Sequence, residues 1–322
     1  DQSLEAIALT FKVLFFANMT DMFGSVPYEE AFSGRKLGGT LTPKFNTQKE
    51  VYELLFADLE AANDIYATDP VFLTPSMDGM YGGDMESWRK FNNSLYLRLL
   101  CRVSGRSEMN VGTRMTEIIN NPGNYPIFTS NLDNATVKFS GVDPYLSNFG
   151  LTTESEFTSS GRKLTRQLLS MTVQTDISGN QVYVDPRLPI IGKKNNILSV
   201  NPNNIWIGTK SGCTDQERST VDQGTSWLNY KVFCRKDAPA TYMDYAEIQF
   251  ILAEAALKGL ITGGQAAAKN YYEEGVRASM EKWSALGAYS ETPTSITAGE
   301  VDTYLASPLG SWDLATNKEQ FL

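Results

Sequence analysis

The N-terminal part of the chain places apolar residues at helical spacing. Residues 3–19 carry apolar side chains three and four positions apart, which predicts a helix with one buried face. Residues 47–66 repeat this spacing, and Thr47 with Glu50 three positions later is the pattern of a capping box. The sequence therefore predicts two amphipathic helices, joined by a loop rich in Gly and Pro.

A third helix is predicted to begin near Asp84, a good N-cap residue, and to continue to about residue 103. Asn92 and Asn93 interrupt its otherwise apolar and basic middle. Buried amides need hydrogen-bond partners, so we expect both to bind neighbouring backbone or side-chain groups. The continuous apolar face of this helix consists of Trp88, Phe91, Leu95 and Leu99.

The pattern changes at about residue 105, where Gly, Pro, Asn, Ser and Thr become common. Short helices are predicted at 109–120 and 161–172, and short strands at 181–185 and 205–208. Asp185-Pro186-Arg187 is predicted to be a turn with an ion-pairing arginine. Loops often carry binding residues, so this region is the expected ligand site.

Helical spacing returns at about residue 241, with Gly259 as the predicted C-cap and a partner helix at 263–283. The two helices are typical of a tetratricopeptide-like hairpin, and the earlier pair could form another. The predicted fold class is all-α, with tetratricopeptide-like helical hairpins and a large irregular loop-rich insertion. We expect a single domain over 1–322, with the scaffold at about 1–104 and 241–322 and the insertion at about 105–240.

Composition excludes several classes of protein. The 322 residues have a formal net charge of −9, and no basic face of the kind that binds nucleic acid is visible. The chain has no histidine, which excludes Ser-His-Asp and Cys-His nucleophile systems and histidine-based zinc sites. Cys101, Cys213 and Cys234 are interpreted as isolated thiols, although Cys213 and Cys234 could form a disulfide in an oxidising compartment. The most apolar run is interrupted by Lys12, so no membrane-spanning segment is predicted.

Carboxylates are the remaining candidates for catalysis. A glycosidase needs two of them across a cleft, and nothing in the sequence pairs any two. Solvated surface charge is the favoured interpretation, so no catalytic residue and no metal ligand is predicted. The candidate carboxylates are Glu29, Glu30, Glu154, Glu156 and Asp185.

Three aromatic residues lie in polar, loop-rich surroundings: Trp206, Trp227 and Tyr230. An exposed ring there could stack on the apolar face of a sugar while neighbouring polar groups bind its hydroxyls. A Trp in such a loop could equally cap a small satellite core. These three residues are the predicted ligand-binding residues.

Three stretches, in this order, resemble the SusD/RagB family of Bacteroidetes outer-membrane lipoproteins. They are DMFGSVPYEEAF with FNTQKEVYELLFADLEAAND, then YGGDMESWRKFNNSLYLRLLCR, then MDYAEIQFILAEAALKG with YYEEGVRASMEKW. The sequence DPRLP at 185–189 fits the middle region of the family as well. The resemblance implies a helical scaffold whose irregular insertion carries the ligand site. It also implies a binding protein and not an enzyme.

The resemblance further implies a cell-surface location, through an N-terminal lipid anchor that is not present in this chain. Both ends of the chain are interpreted as truncated. Family members cap a SusC-like TonB-dependent transporter, so we expect this chain to capture an oligosaccharide and pass it to such a partner. A peptide or another nutrient in the same role is the first alternative. A glycoside hydrolase and a helical-repeat adaptor that binds only protein are the others.

The sequence calls for no cofactor. A structural calcium ion is the one addition we considered, because several turns are rich in Asp, Asn and backbone carbonyls, the oxygen ligands that calcium prefers.

Overall fold

The computed structural model describes residues 2–72, 74–148, 150–159, 162–194, 205–214, 216–217 and 224–322. The chain forms two compact units. Unit 1 contains Asp1–Thr136 and Thr241–Ala268, and unit 2 contains Val137–Ala240 and Lys269–Leu322. Residues 105–136 of the predicted insertion therefore group with the N-terminal helices. The single domain over 1–322 stays a prediction.

Helices dominate the described residues, which confirms the all-α prediction. They are α1 (Gln2–Phe23), α2 (Gln48–Tyr66), α3 (Met85–Arg102), α4 (Val111–Asn120), α5 (Glu154–Ser159), α6 (Arg166–Thr172), α7 (Leu188–Ile191), α8 (Tyr230–Phe233), α9 (Tyr245–Leu257), α10 (Gly264–Gly287), α11 (Ala298–Ala306) and α12 (Lys318–Phe321). Single 3₁₀ turns lie at Ser33–Arg35, Pro75–Met77, Ser107–Met109 and Asn131–Asp133.

Among the described residues, the strands are short and form two-stranded sheets. They are β1 (Ala135–Val137), β2 (Val173–Thr175), β3 (Gln181–Val184), β4 (Gly192–Lys193), β5 (Trp227–Leu228) and β6 (Ala240–Met243). β1 pairs with β6, β2 with β3, and β4 with β5. The strand predicted at 181–185 is confirmed by β3.

The strand predicted at 205–208 is wrong. The backbone N–H groups of Trp206 and Ile207 donate to the side chains of Gln181 and Ser226, at 3.1 Å in both cases, and not to a neighbouring strand. Only Thr209, one residue later, forms an isolated parallel bridge, with Thr165. Side chains thus supply the hydrogen bonds that a strand ladder would otherwise provide.

The helix termini of unit 1 follow the chemistry that the sequence predicted. Thr47 and Glu50 form a complete capping box at α2, and Asp84 accepts from two backbone N–H groups at the start of α3. α9 ends in a Schellman motif, in which Leu260 N–H donates to Ala255 O at 2.9 Å. Gly259 occupies the left-handed position of this motif with φ +70°, as expected of a C-cap glycine.

α1 corrects the prediction about membrane-spanning segments. Its 22 residues are long and apolar enough, by length and composition, to cross a bilayer. The core helix of a soluble protein passes the same test, and α1 is packed within unit 1. Thr10 is 0% exposed and its hydroxyl lies 2.9 Å from Asn92 Oδ1, while Lys12 forms a 2.7 Å ion pair with Asp58.

The two asparagines of α3 have the partners that the sequence predicted. Both are 0% exposed. Asn92 Nδ2 donates to Leu59 O of α2 at 2.9 Å, and Asn93 Nδ2 donates to Asn63 Oδ1 at 3.0 Å and to Pro126 O at 3.1 Å. Because these bonds are directional, they fix how α3 lies against α2.

Unit 2 has its own small apolar core. Its buried members are Leu164, Leu169, Val173, Leu188 and Trp206. Beside it, Asp185 is 1% exposed, and its carboxylate accepts four hydrogen bonds from Arg187, one from the backbone N–H group and three from the guanidinium group, the shortest at 2.7 Å. This confirms the ion-pairing turn, but it contradicts the interpretation of Asp185 as solvated surface charge. All three cysteines are free thiols, as the preferred interpretation held.

Candidate functional site

The predicted binding residues lie around one strand pair of unit 2. In the β4–β5 pair, Gly192 is opposite Leu228 and Lys193 is opposite Trp227. A Cβ atom built on Gly192 would lie 3.2 Å from the ring of Trp206 and 3.3 Å from the backbone oxygen of Trp227. Leu164 Cδ1 would be closer still, at 2.6 Å, so glycine is what leaves room here for Leu164 and for the indole of Trp206.

Trp206 lies on the inner side of this strand pair. It is 3% exposed and packs within the apolar core of unit 2. This placement matches the satellite-core alternative for most of its indole, because a ring so deeply buried has little surface left for a sugar. Its role in binding stays a prediction, limited to the part of the side chain that reaches a cavity.

Trp227 lies on the outer side and is half-buried. The ammonium group of Lys163 lies 3.8 Å from the centroid of its ring, within the range of a cation–π interaction. Its indole Nε1 is buried, and no hydrogen-bond acceptor is found for it among the residues that the structure describes. A ligand or a water molecule could reach this polar atom only if the neighbouring side chains moved, because the atom is buried.

Tyr230 begins α8, three residues after Trp227. Its hydroxyl donates to Thr152 O at 2.8 Å, and its ring packs edge-on against Phe157 with centroids 5.6 Å apart. The hydroxyl of Tyr230 thus already has a partner within unit 2. We expect this side chain to support the site more than to face the ligand.

A cavity of about 390 Å³ adjoins β4. Lys193 Nζ forms a 2.7 Å ion pair with Glu291, and Asn229 Nδ2 donates to Ile190 O and to Ser290 Oγ. Polar groups next to an indole edge are the combination that small polar ligands require. The cavity is lined by Pro189, Gly192, Lys193, Lys194, Trp206, Asn229, Ser290, Glu291, Thr292, Pro293 and Thr294.

The polar members of this site carry no signal that identifies them in the sequence. Lys193, Asn229 and Glu291 are far apart in the chain, and none belongs to a motif with a known spacing. The sequence gives one indication of the site, which is its basic residues. Lys163 belongs to the densest short basic group of the chain, and Lys193 is followed directly by Lys194. Unit 1 carries two further open cavities, of about 440 and 470 Å³, which contain none of the predicted residues.

Two carboxylates lie near the same ammonium group. Glu291 Oε1 is 2.7 Å and Glu154 Oε1 is 4.0 Å from Lys193 Nζ. They are the two carboxylates at the candidate site that the hydrolase alternative would have to use as a pair. Within the described ranges, no group of three or more His, Cys, Asp or Glu side chains is placed to hold a metal ion.

Several solved structures that are similar to this chain are SusD homologs. One from Bacteroides fragilis has a TM-score of 0.75 and 23% identity, covering 100% of this chain and 66% of that one. One from Bacteroides uniformis has a TM-score of 0.69 and 24% identity, covering 94% and 55%. A chitin-binding SusD homolog from Flavobacterium johnsoniae has a TM-score of 0.67 and 23% identity, covering 90% and 56%.

These likenesses concern the fold, and the chain spans less than two thirds of the length of each of these three homologs. The search of curated proteins finds no match. The sequence model of one family matches residues 1–321, that is, almost the whole chain. Its description is "Starch-binding associating with outer membrane". The chain therefore belongs to this SusD-like family.

Proposed function

We propose that this protein captures an oligosaccharide at the outer membrane and passes it to a SusC-like TonB-dependent transporter. The observation that carries the proposal is the family match along residues 1–321, with its description as starch-binding and associated with the outer membrane. A surface location through a lipid anchor belongs to the same proposal. Two chitin-binding proteins among the structural relatives support a glycan as the ligand.

The β4–β5 surface supports a binding role in chemical terms. Trp227 offers a half-buried indole ring, and the adjoining cavity offers ammonium, amide, hydroxyl and carboxylate groups. Sugars combine apolar ring faces with hydroxyl groups, so such a mixed surface suits them. The groups around the cavity are held by hydrogen bonds within unit 2, so little entropy is lost when a ligand binds.

The test is affinity electrophoresis and calorimetry of the protein against a panel of polysaccharides and oligosaccharides. Trp227→Ala should weaken binding of the selected glycan roughly two- to tenfold, the range expected for one aromatic contact. Trp206→Phe is preferable to Trp206→Ala, because removing a buried indole would cost about 3–5 kcal/mol of folding stability. Thermal unfolding of each variant separates lost binding from lost structure.

The outcomes discriminate between the alternatives. Retention of one glycan, weakened in Trp227→Ala and without hydrolysis, supports capture. Binding of peptides but of no glycan would favour the alternative that the protein captures peptides. If neither ligand class binds and only protein partners are retained, the adaptor alternative is favoured.

A further inference from the structure

The loop that follows α1 in unit 1 is closed at its base. Val26 and Asn46 form an antiparallel bridge, in which the two backbone N···O distances are 3.2 and 3.0 Å. Between them, residues 32–45 have the sequence FSGRKLGGTLTPKF, with a single 3₁₀ turn at Ser33–Arg35. This segment contains three basic residues and no acidic one, in a chain whose net charge is −9. We call residues 32–45 the basic loop.

The tip of the basic loop is held in one shape by its own contacts. Ser33 Oγ donates to Thr40 O at 3.1 Å, and Gly39 N–H donates to Lys36 O at 2.9 Å. A Cβ atom built on Gly39 would lie 1.8 Å from Ser33 O, so only glycine allows the two arms of the loop to approach this closely. Leu37 lies between these arms and is fully exposed. The tip is thus preorganised for a contact outside the loop.

Large apolar side chains are exposed along the whole basic loop. They are Phe32, Leu37, Leu41 and Phe45. Phe32 has φ +61°, a left-handed conformation that residues other than glycine rarely adopt, and its ring lies edge-on to that of Phe16 with centroids 6.5 Å apart. Apolar groups held in place and yet exposed to water indicate a surface that contacts another molecule.

Two cations flank the exposed leucine at the tip. Arg35 and Lys36 directly precede Leu37, and both are exposed. The described residues include no ion-pair partner for either of them. Because salt screens charges more than about 8 Å away, the acidic residues elsewhere in the chain have little effect at this tip.

The third cation, Lys44, is partly offset by acidic neighbours. The carboxylate of Glu30 accepts a hydrogen bond from the backbone N–H of Lys44 at 2.7 Å. Hydrogen bonds with Thr47 lower the pKa of Glu50, and the charge of Lys44 adds to this effect. The positive charge available to a partner is therefore that of the two cations at the tip.

This combination of groups fits a lipid surface better than a second copy of the chain. Two copies that met through their basic loops would bring like charges together, which is unfavourable. The surface of an anionic bilayer offers phosphate groups to the cations and an apolar interior to the leucines within a few ångströms. The description of the family as associated with the outer membrane agrees with a lipid partner.

We infer that the basic loop docks on an anionic lipid bilayer and inserts its apolar tip between the headgroups. The inference rests on the outer-membrane location in the proposed function, and it specifies which surface of unit 1 faces the lipid. Arg35 and Lys36 would form charge-assisted hydrogen bonds with lipid phosphates. Leu37 and Leu41 would enter the boundary between the headgroups and the acyl chains.

Co-sedimentation of the full chain with phosphatidylcholine vesicles, with and without phosphatidylglycerol, measures its partition coefficient. We expect binding to the vesicles that contain phosphatidylglycerol, and weaker binding as NaCl is raised. Arg35→Gln/Lys36→Gln should lower the partition coefficient about 10- to 30-fold, the effect expected of two cations at an anionic surface. Arg106→Gln/Lys138→Gln is the charge-matched control, because both residues are exposed and lie outside the basic loop.

Leu37→Ser tests the apolar part of the contact. It should lower the partition coefficient about 3- to 10-fold, because the side chain that enters the bilayer is lost. Leu37 is fully exposed, so the variant should fold like the wild type, which thermal unfolding checks. Leu132→Ser removes an exposed leucine elsewhere in unit 1 and should leave the partition coefficient unchanged.

Three results would overturn the inference. They are no binding of the wild type to either kind of vesicle, equal binding of the wild type and both loop variants, and an equal loss in the control variants. If the loop variants instead lost retention of a glycan or a transporter, the loop would be assigned to that partner and the lipid contact would be rejected.

Calorimetry of the same proteins with the retained glycan tests the proposed function separately. Glycan binding by a protein that ignores vesicles would leave glycan capture standing and overturn only the lipid contact. Vesicle binding that depends on the basic loop, in a protein that binds no glycan of the panel, would support the lipid contact and overturn glycan capture.

Discussion

Single buried polar residues carry much of the specificity of unit 1. A hydrogen bond contributes modestly to stability when it is made, but a buried partner left without one is costly. Asn92 and Asn93 have 0% exposure and bind groups on neighbouring segments. Their buried amides therefore have these hydrogen-bond partners only when the helices pack in this arrangement. The sequence indicated their burial, because the two amides interrupt an apolar helix face. It did not indicate which carbonyl groups they would bind.

Asn92→Leu should lower the free energy of unfolding by about 1–3 kcal/mol. Leucine has a similar volume, but it leaves Leu59 O and the Thr10 hydroxyl without the amide that each contacts at 2.9 Å. Urea unfolding followed by circular dichroism measures the change. Glu86→Gln, an exposed substitution in the first turn of the same helix, should shift the transition far less. Equal transitions for the two variants would contradict the structural role of the amide.

Asp133 should make stability depend on pH in the acid range. Burial alone would raise the pKa of its carboxyl, but hydrogen bonds from Thr129 and the ion pair with Lys90 lower it below its ordinary value of 3.8. A carboxyl with a lowered pKa in the folded state stabilises the protein fully above about pH 4, its unfolded value. That contribution is lost as pH falls through the folded-state pKa.

Asp133→Asn tests this dependence. It should reduce stability near neutral pH and flatten the fall in stability below about pH 4, because the group that titrates is gone. Lys90→Met should act in the same direction but less strongly, since the bonds from Thr129 remain. Thermal unfolding across the acid range gives both profiles. If the stability of Asp133→Asn decreased with falling pH as steeply as that of the wild type, the acid sensitivity would come from other groups.

At the scale of elements, helix boundaries were the most predictable feature. Thr47, Asp84 and Gly259 are local signals whose geometry depends on a few neighbouring backbone groups, and the structure confirms all three. The strand predicted at 205–208 was wrong because the N–H groups of Trp206 and Ile207 donate to side chains that are distant in the sequence. Strand pairing and loop partners depend on long-range contacts, which a local pattern does not encode.

Gly259→Ala should destabilise unit 1 by roughly 1–2 kcal/mol, the cost of placing a Cβ atom at a left-handed backbone position. Space is not the cause, because a Cβ atom there meets nothing within 4 Å. Gly105→Ala is the matched control: its surroundings are equally open and its φ is not in the left-handed range. Denaturant unfolding should show a clear loss for the first variant and little or none for the second.

For the molecule as a whole, the sequence predicts the fold class and the family, but it does not predict which residues form the site. The ordered helical motifs identified the family, and composition excluded histidine chemistry. The site lies where three distant segments, around Lys163, Lys193 and Trp227, are brought together by pairing. Trp206 and Trp227 look alike in the sequence, since both are aromatic residues in polar loops. Only the fold separates an inward indole from an outward one.

A binding protein should release no product from the glycan that it retains. Glu154 and Glu291 are the carboxylates closest to forming a pair at the candidate site, and both lie near the ammonium of Lys193. We expect no reducing ends to form during prolonged incubation with the retained polysaccharide. Product formation by the wild type, abolished in the Glu154→Gln/Glu291→Gln double variant, would establish a hydrolase instead.

The ammonium above the indole of Trp227 also has an optical consequence. Indole emission responds to nearby charge, so a ligand that bound next to this ring or moved the ammonium group of Lys163 would change the electric field at the ring. Trp206 is largely enclosed by apolar side chains of the core, so its emission should respond less than that of Trp227. Trp227 is thus an intrinsic fluorescent probe, and the wavelength of its emission should change when a ligand binds at this surface.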